Sequence, residues 1–236
     1  MDWIDTSKVE WLFFDLDHTL WDYQRNANET MRELFVHYGP KMSRQVSFER
    51  FIRTYHEHNS RLWKRYREDK IDSATLRRLR WEITFRDLGV EVEDWVEQIS
   101  EDYLQSCPRK PYLMPHTEEV LTALGARFPM HIITNGFLEV QQIKLDASGL
   151  TPYFEHMTTP DMVDVKKPNP KIFHHAMQAV GADPARSLHV GDNYEADVLG
   201  AKGIGMPVVY YNSRDAHNPD NVPEIRDLRK LAEWLL

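Results

Sequence analysis

Cysteine is almost missing from this chain: Cys107 stands alone in 236 residues. One thiol closes no disulfide and builds no thiolate metal cluster, which excludes disulfide-stapled secreted folds and cysteine-type metal domains. Long hydrophobic runs are missing too. No apolar stretch approaches the ~20 residues of a membrane-spanning helix. The N-terminal stretch MDWIDTSKVEW has neither the basic nor the apolar region of a secretory leader. Positive charge is short, with 29 Lys and Arg against 37 Asp and Glu, a net charge of −8. That balance disfavours a nucleic-acid polymer as partner. Repeats and low-complexity segments are also lacking. The expectation is a cytoplasmic enzyme with no membrane partner, large enough for one full core or a core plus an insert.

The best-defined stretch is VEWLFFDLDHTL, residues 9–20. Trp11-Leu12-Phe13-Phe14 has no polar alternation, as in a strand buried on both faces of a parallel sheet. It ends in Asp15 and Asp17. Acids after a strand often serve only a turn or a helix cap. The C-terminal end of a buried strand is, however, where α/β sheets bind ligands.

From Trp21 to about Arg109 the text is helical, with few Gly or Pro breakers. Phe48, Phe51, Ile52, Tyr55, Leu62 and Tyr66 form one stripe at helical spacing; Leu76, Leu79 and Ile83 form a second. Val92–Ser106 reads as a further helix. From Pro111 onward, strands and helices alternate. Met130–Thr134, Phe154–Thr158, Ser187–Val190 and Pro207–Tyr211 read as strands, and Glu224–Leu235 as a last helix. The expected fold is α/β: a doubly wound parallel sheet, Rossmann-like, formed by residues 1–20 and 109–236, with an all-helical domain inserted at 21–108.

Three more stretches carry candidate chemistry. Thr134-Asn135 follows an apolar strand and could donate a hydroxyl and a backbone N–H to an oxyanion, though Thr-Asn-Gly is commonly just a turn. Lys166-Lys167-Pro168 offers a cation, or an ordinary surface loop. Gly191-Asp192 with Asp197 offers carboxylates for a hard cation, or a capped turn.

Phe14-Asp15-Leu16-Asp17-His18-Thr19-Leu20, Ile132-Ile133-Thr134-Asn135, Lys167-Pro168 and Gly191-Asp192 with Asp197 occur in the order of the four motifs of the haloacid dehalogenase superfamily. The chain resembles that superfamily, most of whose members are Mg²⁺-dependent phosphatases. The resemblance implies Asp15 as nucleophile and Asp17 as general acid and base. It implies Thr134, Asn135 and Lys167 around the phosphate, with Lys167 catalytic. Asp15, Asp192 and the backbone carbonyl of Asp17 would bind Mg²⁺. Asp197 would support Lys167 or a metal-bound water. Members that cleave carbon–halogen bonds lack the second aspartate, so Asp17 points to phosphoryl chemistry. An insert about 90 residues long between the first two motifs implies, by the same resemblance, a helical cap over the site.

FFDLDHTLWD, the stretch Asn59-Ser60-Arg61-Leu62-Trp63, and IITNGFLEVQ are similar to the bacterial pyrimidine 5′-nucleotidases. That likeness implies a small phosphomonoester substrate, a pyrimidine nucleoside 5′-monophosphate, read by Asn59 and Trp63. Both positions are equally compatible with bundle packing. Phosphoglycolate and sugar-phosphate phosphatases share every catalytic residue. A response-regulator receiver, a non-enzymatic phospho-switch, also sets Asp, Thr and Lys at strand ends. The basic stretch Arg61–Arg80, eight Lys and Arg against three acids, reads as a solvated face.

Overall fold

The computed structural model describes residues 5–42, 46–91 and 95–236. The chain divides into two compact units. One holds the residues up to Tyr23 together with Pro111–Leu236; the other is Gln24–Lys110.

The first unit is built on six parallel strands: β1 (Trp11–Phe14), β2 (Met130–Ile133), β3 (His156–Thr158), β4 (Ser187–Gly191), β5 (Val208–Tyr211) and β6 (Glu224–Ile225). They lie in the order β3-β2-β1-β4-β5-β6. β1 is central: Leu12 pairs with Met130 on one side and with Leu188 on the other. All four residues of β2 and all five of β4 are buried. This explains their mainly apolar text, broken by the buried His131, Ser187 and His189, since a central parallel strand has no wet face. Phe13, Ile133, Ile172, Phe173, Val198 and Val208 share one core cluster. Each large apolar side chain so buried contributes about 1.5–3 kcal/mol. The chain runs from β1 outward through β2 and β3, then returns to β4 beside β1. The direction of winding therefore reverses at β1–β4, and the C-terminal ends of those strands flank a crevice.

Helices α5 (Thr117–Gly125), α6 (Leu138–Ala147), α7 (Pro160–Val163) and α8 (Pro170–Val180) connect the strands. After β4 comes a π-helical stretch, Tyr194–Leu199, that passes into α9 (Gly200–Gly203); α10 (Arg229–Leu235) ends the chain. The expected last helix is shorter than its text suggests. Glu224 and Ile225 are not helical; they pair with Tyr210 and Tyr211 as the edge strand β6.

The second unit contains α1 (Tyr23–Tyr38), most of which lies in it, α2 (Phe48–Arg67), α3 (Ser73–Leu88) and α4 (Trp95–Ser106). Ser47 and Asp72 cap α2 and α3 by accepting from the N–H groups of Arg50 and Thr75. Gly89, in the left-handed region at φ 72°, closes α3. The first stripe is buried at Phe51, Tyr55, Leu62 and Tyr66, with Phe48 and Ile52 half-buried. Aromatic rings fill the centre: Tyr55 and Trp81 lie 4.8 Å apart, Phe85 and Trp95 4.9 Å. The second stripe is shifted in phase. Leu76, Arg80 and Thr84 face inward, while Leu79 and Ile83 are half-buried. Arg80 thus departs from the solvated-face expectation. It is 4 % exposed, with its guanidinium 4.9 Å from the Tyr103 ring centroid, because the aromatic interior gives a cation a face to stack on. The first part of the expected helix 92–106, residues 92–94, lies outside the described residues.

No described helix is long and apolar enough to cross a membrane.

Candidate active site

The C-terminal ends of β1, β2 and β4 deliver Asp15, Thr134 and Asp192 to the crevice beside the β1–β4 reversal. Lys167, from the loop before α8, joins them. Its side chain is 1 % exposed, and its ammonium donates to Asp15 Oδ1 at 2.7 Å, to Asp197 Oδ1 at 2.6 Å and to the carbonyl of Ile133 at 2.6 Å. Burial alone would lower the Lys167 pKa. The carboxylates of Asp15 and Asp197 outweigh it and raise it, so the side chain is a fixed cation. Lys166, its neighbour, is half-buried and makes none of these three bonds.

Asp197 holds Lys167 from behind. Its Oδ1 also accepts from His189 Nε2 at 3.0 Å, and its Oδ2 accepts from the Asn193 N–H at 3.0 Å. Since a carboxylate only accepts, the His189 proton sits on Nε2. Burial opposes ionisation of Asp197, but the Lys167 ammonium and then the His189 hydrogen bond hold its carboxyl down at about 2. The glycine of Gly191-Asp192 has a steric reason. A Cβ on Gly191 would overlap the Asp197 carboxylate, so only glycine lets β4 pass that close.

Asn135 clamps the loop that carries Lys167. Its Oδ1 accepts from the Lys167 N–H at 2.7 Å, and its Nδ2 donates to the Lys167 carbonyl at 3.0 Å. The Asn135 side chain is therefore spent on Lys167, leaving its backbone N–H as the group that an oxyanion could use.

Asp15, Asp192 and Asp197 each place a carboxylate oxygen within 4.8 Å of the others. Burial, then the neighbouring charges, push the Asp192 carboxyl well above its ordinary range. Asp15 is pushed up to about 7 by burial, against the pull of Lys167 and with the push of Asp197. The buried carboxylates of Asp15 and Asp197 and the half-buried one of Asp192 cluster at one buried ammonium. With Asp197 committed to Lys167, His189 and Asn193, the surplus negative charge rests on Asp15 and Asp192. Asp15 shares the Lys167 ammonium with Asp197, and Asp192 lies 3.9 Å from the Arg214 guanidinium; two hard oxygen donors so incompletely neutralised suit a divalent cation such as Mg²⁺.

Asp17, two residues beyond Asp15, is held by α6. Burial disfavours its charged form, but Lys144 outweighs that and holds its carboxyl below the usual range. Lys144 Nζ lies 2.6 Å from Asp17 Oδ1 and 2.8 Å from Oδ2, and Gln141 Nε2 donates to Oδ2 at 3.0 Å. Lys144, Gln141 and His189 escaped the sequence reading. Their signal was present: polar side chains on the inward face of a helix or inside an apolar strand. Asn59 and Trp63 belong to the helical unit. Asn59 is 5 % exposed on the inward face of α2, and the half-buried Trp63 meets the edge of Tyr66, with centroids 5.6 Å apart.

Known proteins share this arrangement of strands and the sequence that builds it. The chain is 31% identical to the pyrimidine 5′-nucleotidase YjjG of Escherichia coli, over 96% of each chain. It is 29% identical to a glyceraldehyde 3-phosphate phosphatase of Pyrococcus furiosus, covering 86% of this chain and 81% of that one. Among solved structures, YfnB of Bacillus subtilis, bound to magnesium, superposes with a TM-score of 0.86 at 23% identity, over 96% of this chain and 98% of that one. The haloacid dehalogenase-like hydrolase family model spans residues 9–205, from two residues before β1 to the turn before β5. With three of its motifs at the ends of β1, β2 and β4 and the Lys167 motif in the loop before α8, the chain belongs to the haloacid dehalogenase-like hydrolases.

Proposed function

We propose that the protein is a Mg²⁺-dependent phosphomonoester hydrolase working through an aspartyl phosphate on Asp15, and that pyrimidine nucleoside 5′-monophosphates are its substrates. The observation that carries this reading is the Asp15–Lys167 pair at 2.7 Å, buried beside Asp192. A nucleophilic carboxylate, a fixed cation and a second carboxylate for a metal are the parts that phosphoryl transfer needs.

Asp15, Asp192 and the Asp17 carbonyl would hold Mg²⁺, which when bound supplies charge neutralisation between phosphate and attacking carboxylate. The remaining chemistry falls to side chains. Asp15 attacks phosphorus in line; its O–P bond forms as the bond to the leaving oxygen breaks, and that oxygen keeps the electron pair. The hydroxyl of Thr134 and the N–H of Asn135 donate to the phosphoryl oxygens, while the Lys167 ammonium, its three N–H groups held by Asp15, Asp197 and the Ile133 carbonyl, supplies fixed positive charge beside them. Asp17 gives the leaving oxygen its proton. Its carboxyl is ionised in the free enzyme, and the incoming phosphate dianion, by opposing a second anion beside it, favours the protonated form. In the second half Asp17 takes a proton from water, whose oxygen attacks phosphorus. The bond to Asp15 then breaks, phosphate is released and the protonated Asp17 is restored.

The pyrimidine nucleotide reading is supported by the likeness to YjjG over nearly the whole chain. A sugar phosphate is the second reading, supported by the glyceraldehyde 3-phosphate phosphatase of Pyrococcus furiosus. The receiver alternative fits neither the hydrolase family nor the paired Asp15 and Asp17. Base recognition is assigned to Asn59, a buried amide on α2, and to Trp63 beside it in the cap. A panel of phosphomonoesters assayed with Mg²⁺ and with chelator tests this. Turnover should need Mg²⁺, favour dUMP and dTMP over glyceraldehyde 3-phosphate and phosphoglycolate, and vanish in Asp15→Asn. A preference for the triose phosphate would replace the nucleotide reading.

A further inference from the structure

The grip on Asp17 is built, not incidental. Lys144 and Gln141 stand three residues apart on α6, so they leave the helix on one face. Gln141 is fully buried and Lys144 is 6 % exposed. Packing alone would fill such positions with apolar side chains, because burying an amide and an ammonium costs free energy unless each finds partners. The Lys144 ammonium also lies 4.5 Å from the ring centroid of the buried Trp21.

Gln141 reaches a second target. The same Nε2 that donates to Asp17 Oδ2 also donates to Thr134 Oγ1, at 2.7 Å. The amide must point this way round, since a carboxylate offers only acceptors. Thr134 Oγ1 accepts again from the Gly136 N–H at 3.1 Å. With two acceptor sites taken, the Thr134 hydroxyl has its proton to donate elsewhere. Gly136 makes room for the arrangement, because a Cβ there would overlap the Gln141 side chain. The N-terminus of α6 is itself fixed, its Leu138 N–H donating to Asp161 Oδ2 at 3.0 Å.

We propose that Lys144 and Gln141 are positioning residues for proton transfer: α6 aims the Asp17 carboxylate at the leaving oxygen and, through Gln141, turns the Thr134 hydroxyl toward the phosphate. This rests on the reading of Asp17 as the group that protonates the leaving oxygen. Neither residue touches substrate; both act through Asp17 and Thr134.

The leaving group separates positioning from folding. A nucleotide such as dTMP leaves as an alkoxide and needs a proton, whereas p-nitrophenyl phosphate leaves as a stabilised phenolate and needs little help. kcat/KM on both substrates is to be measured for wild type, Lys144→Met, Lys144→Arg, Gln141→Leu, Asp17→Asn and the double variant Lys144→Met/Asp17→Asn. Lys144→Met should lose about 10²-fold on dTMP and less than about tenfold on p-nitrophenyl phosphate, in the range of general acid catalysis. Lys144→Arg should recover part of the dTMP loss, and Gln141→Leu should show a smaller loss of the same selectivity. The double variant should be no worse than Asp17→Asn, as expected when one residue acts through the other. If Asp17→Asn is selective but Lys144→Met and Gln141→Leu lose both substrates equally, or lose neither, the positioning role is overturned and Asp17 keeps its own. If Asp17→Asn itself shows no selectivity, the acid–base reading of Asp17 falls, and this proposal with it. Should Lys144→Met not fold, the Gln141→Leu and Lys144→Arg arms decide by the same ratio.

Discussion

Lys166 and Lys167 are adjacent and chemically identical, yet the fold gives them different work. Lys167 is sealed under the sheet's C-terminal edge with Asp15, Asp197 and the Ile133 carbonyl; Lys166 is half-buried and makes none of those bonds. Lys167→Ala should therefore reduce kcat on a phosphomonoester by on the order of 10² or more, the usual cost of losing a charge-stabilising group. Lys166→Ala should stay within a few-fold of wild type, and equal losses would place the cation wrongly. Which lysine to choose was readable because Lys-Pro is a motif with a fixed register. The partners of Asp17 were not. Gln141 lies 124 positions from Asp17 along the chain, and no local pattern reports a contact of that range. His189 was hidden in the same way, as one polar letter in an apolar strand whose purpose appears only with Asp197 beside it.

At the scale of elements, text alone marks out five of the six strands, β1 to β5, and three of them, β1, β2 and β4, carry a site residue at the C-terminal end. The two-residue β6 shows no periodicity of its own. It exists because Tyr210 and Tyr211 offer it an edge. The π-helical stretch after β4 likewise escapes a 3.6-residue pattern. It is where Asn193 and Asp197 close on each other, the Asn193 N–H meeting Asp197 Oδ2. This tightness makes a second prediction. Gly191→Ala would drive a methyl group into the Asp197 carboxylate, so both melting temperature and kcat should fall. A variant with wild-type activity would show that the Asp197–Lys167 contact tolerates displacement. A third prediction concerns β2. His131 is buried, with Nε2 2.8 Å from Thr158 Oγ1, and burial pulls its pKa from 6.5 to about 3. The unfolded chain therefore binds a proton below about pH 6.5 that the folded chain refuses. Stability is full above that pH and falls as pH drops toward 3, by up to about 1.4 kcal/mol per unit. Denaturant titrations at pH 7 and pH 5 should show His131→Leu losing about 2 kcal/mol less between the two than wild type does. An unchanged pH slope would mean that His131 is protonated in the fold.

At the scale of the molecule, the division into a sheet unit and a helical unit follows the change of texture in the chain, from helix-only text to alternating strand and helix. The net charge of −8 leaves recruitment of an anionic substrate to the site itself. The basic stretch on α2 and α3 is partly neutralised at home: Arg78 pairs with Glu82 at 2.7 Å and Lys70 with Glu68 at 2.6 Å. kcat/KM on dTMP should thus fall only modestly, within about threefold, between low and 0.3 M salt, where a steering field would be screened. A steep fall that disappears on charge reversal at Arg77 and Arg78 would make the stretch a steering surface. The proposed mechanism depends on one covalent event, transfer of the phosphoryl group to Asp15. The most direct test is to quench the Mg²⁺-loaded enzyme in acid during turnover of a phosphomonoester and map the mass of the peptide that carries Asp15. The account requires that peptide to gain one phosphoryl group at Asp15, and to lose it as substrate is exhausted. Turnover with no phosphoryl group on Asp15 at any quench time would contradict it.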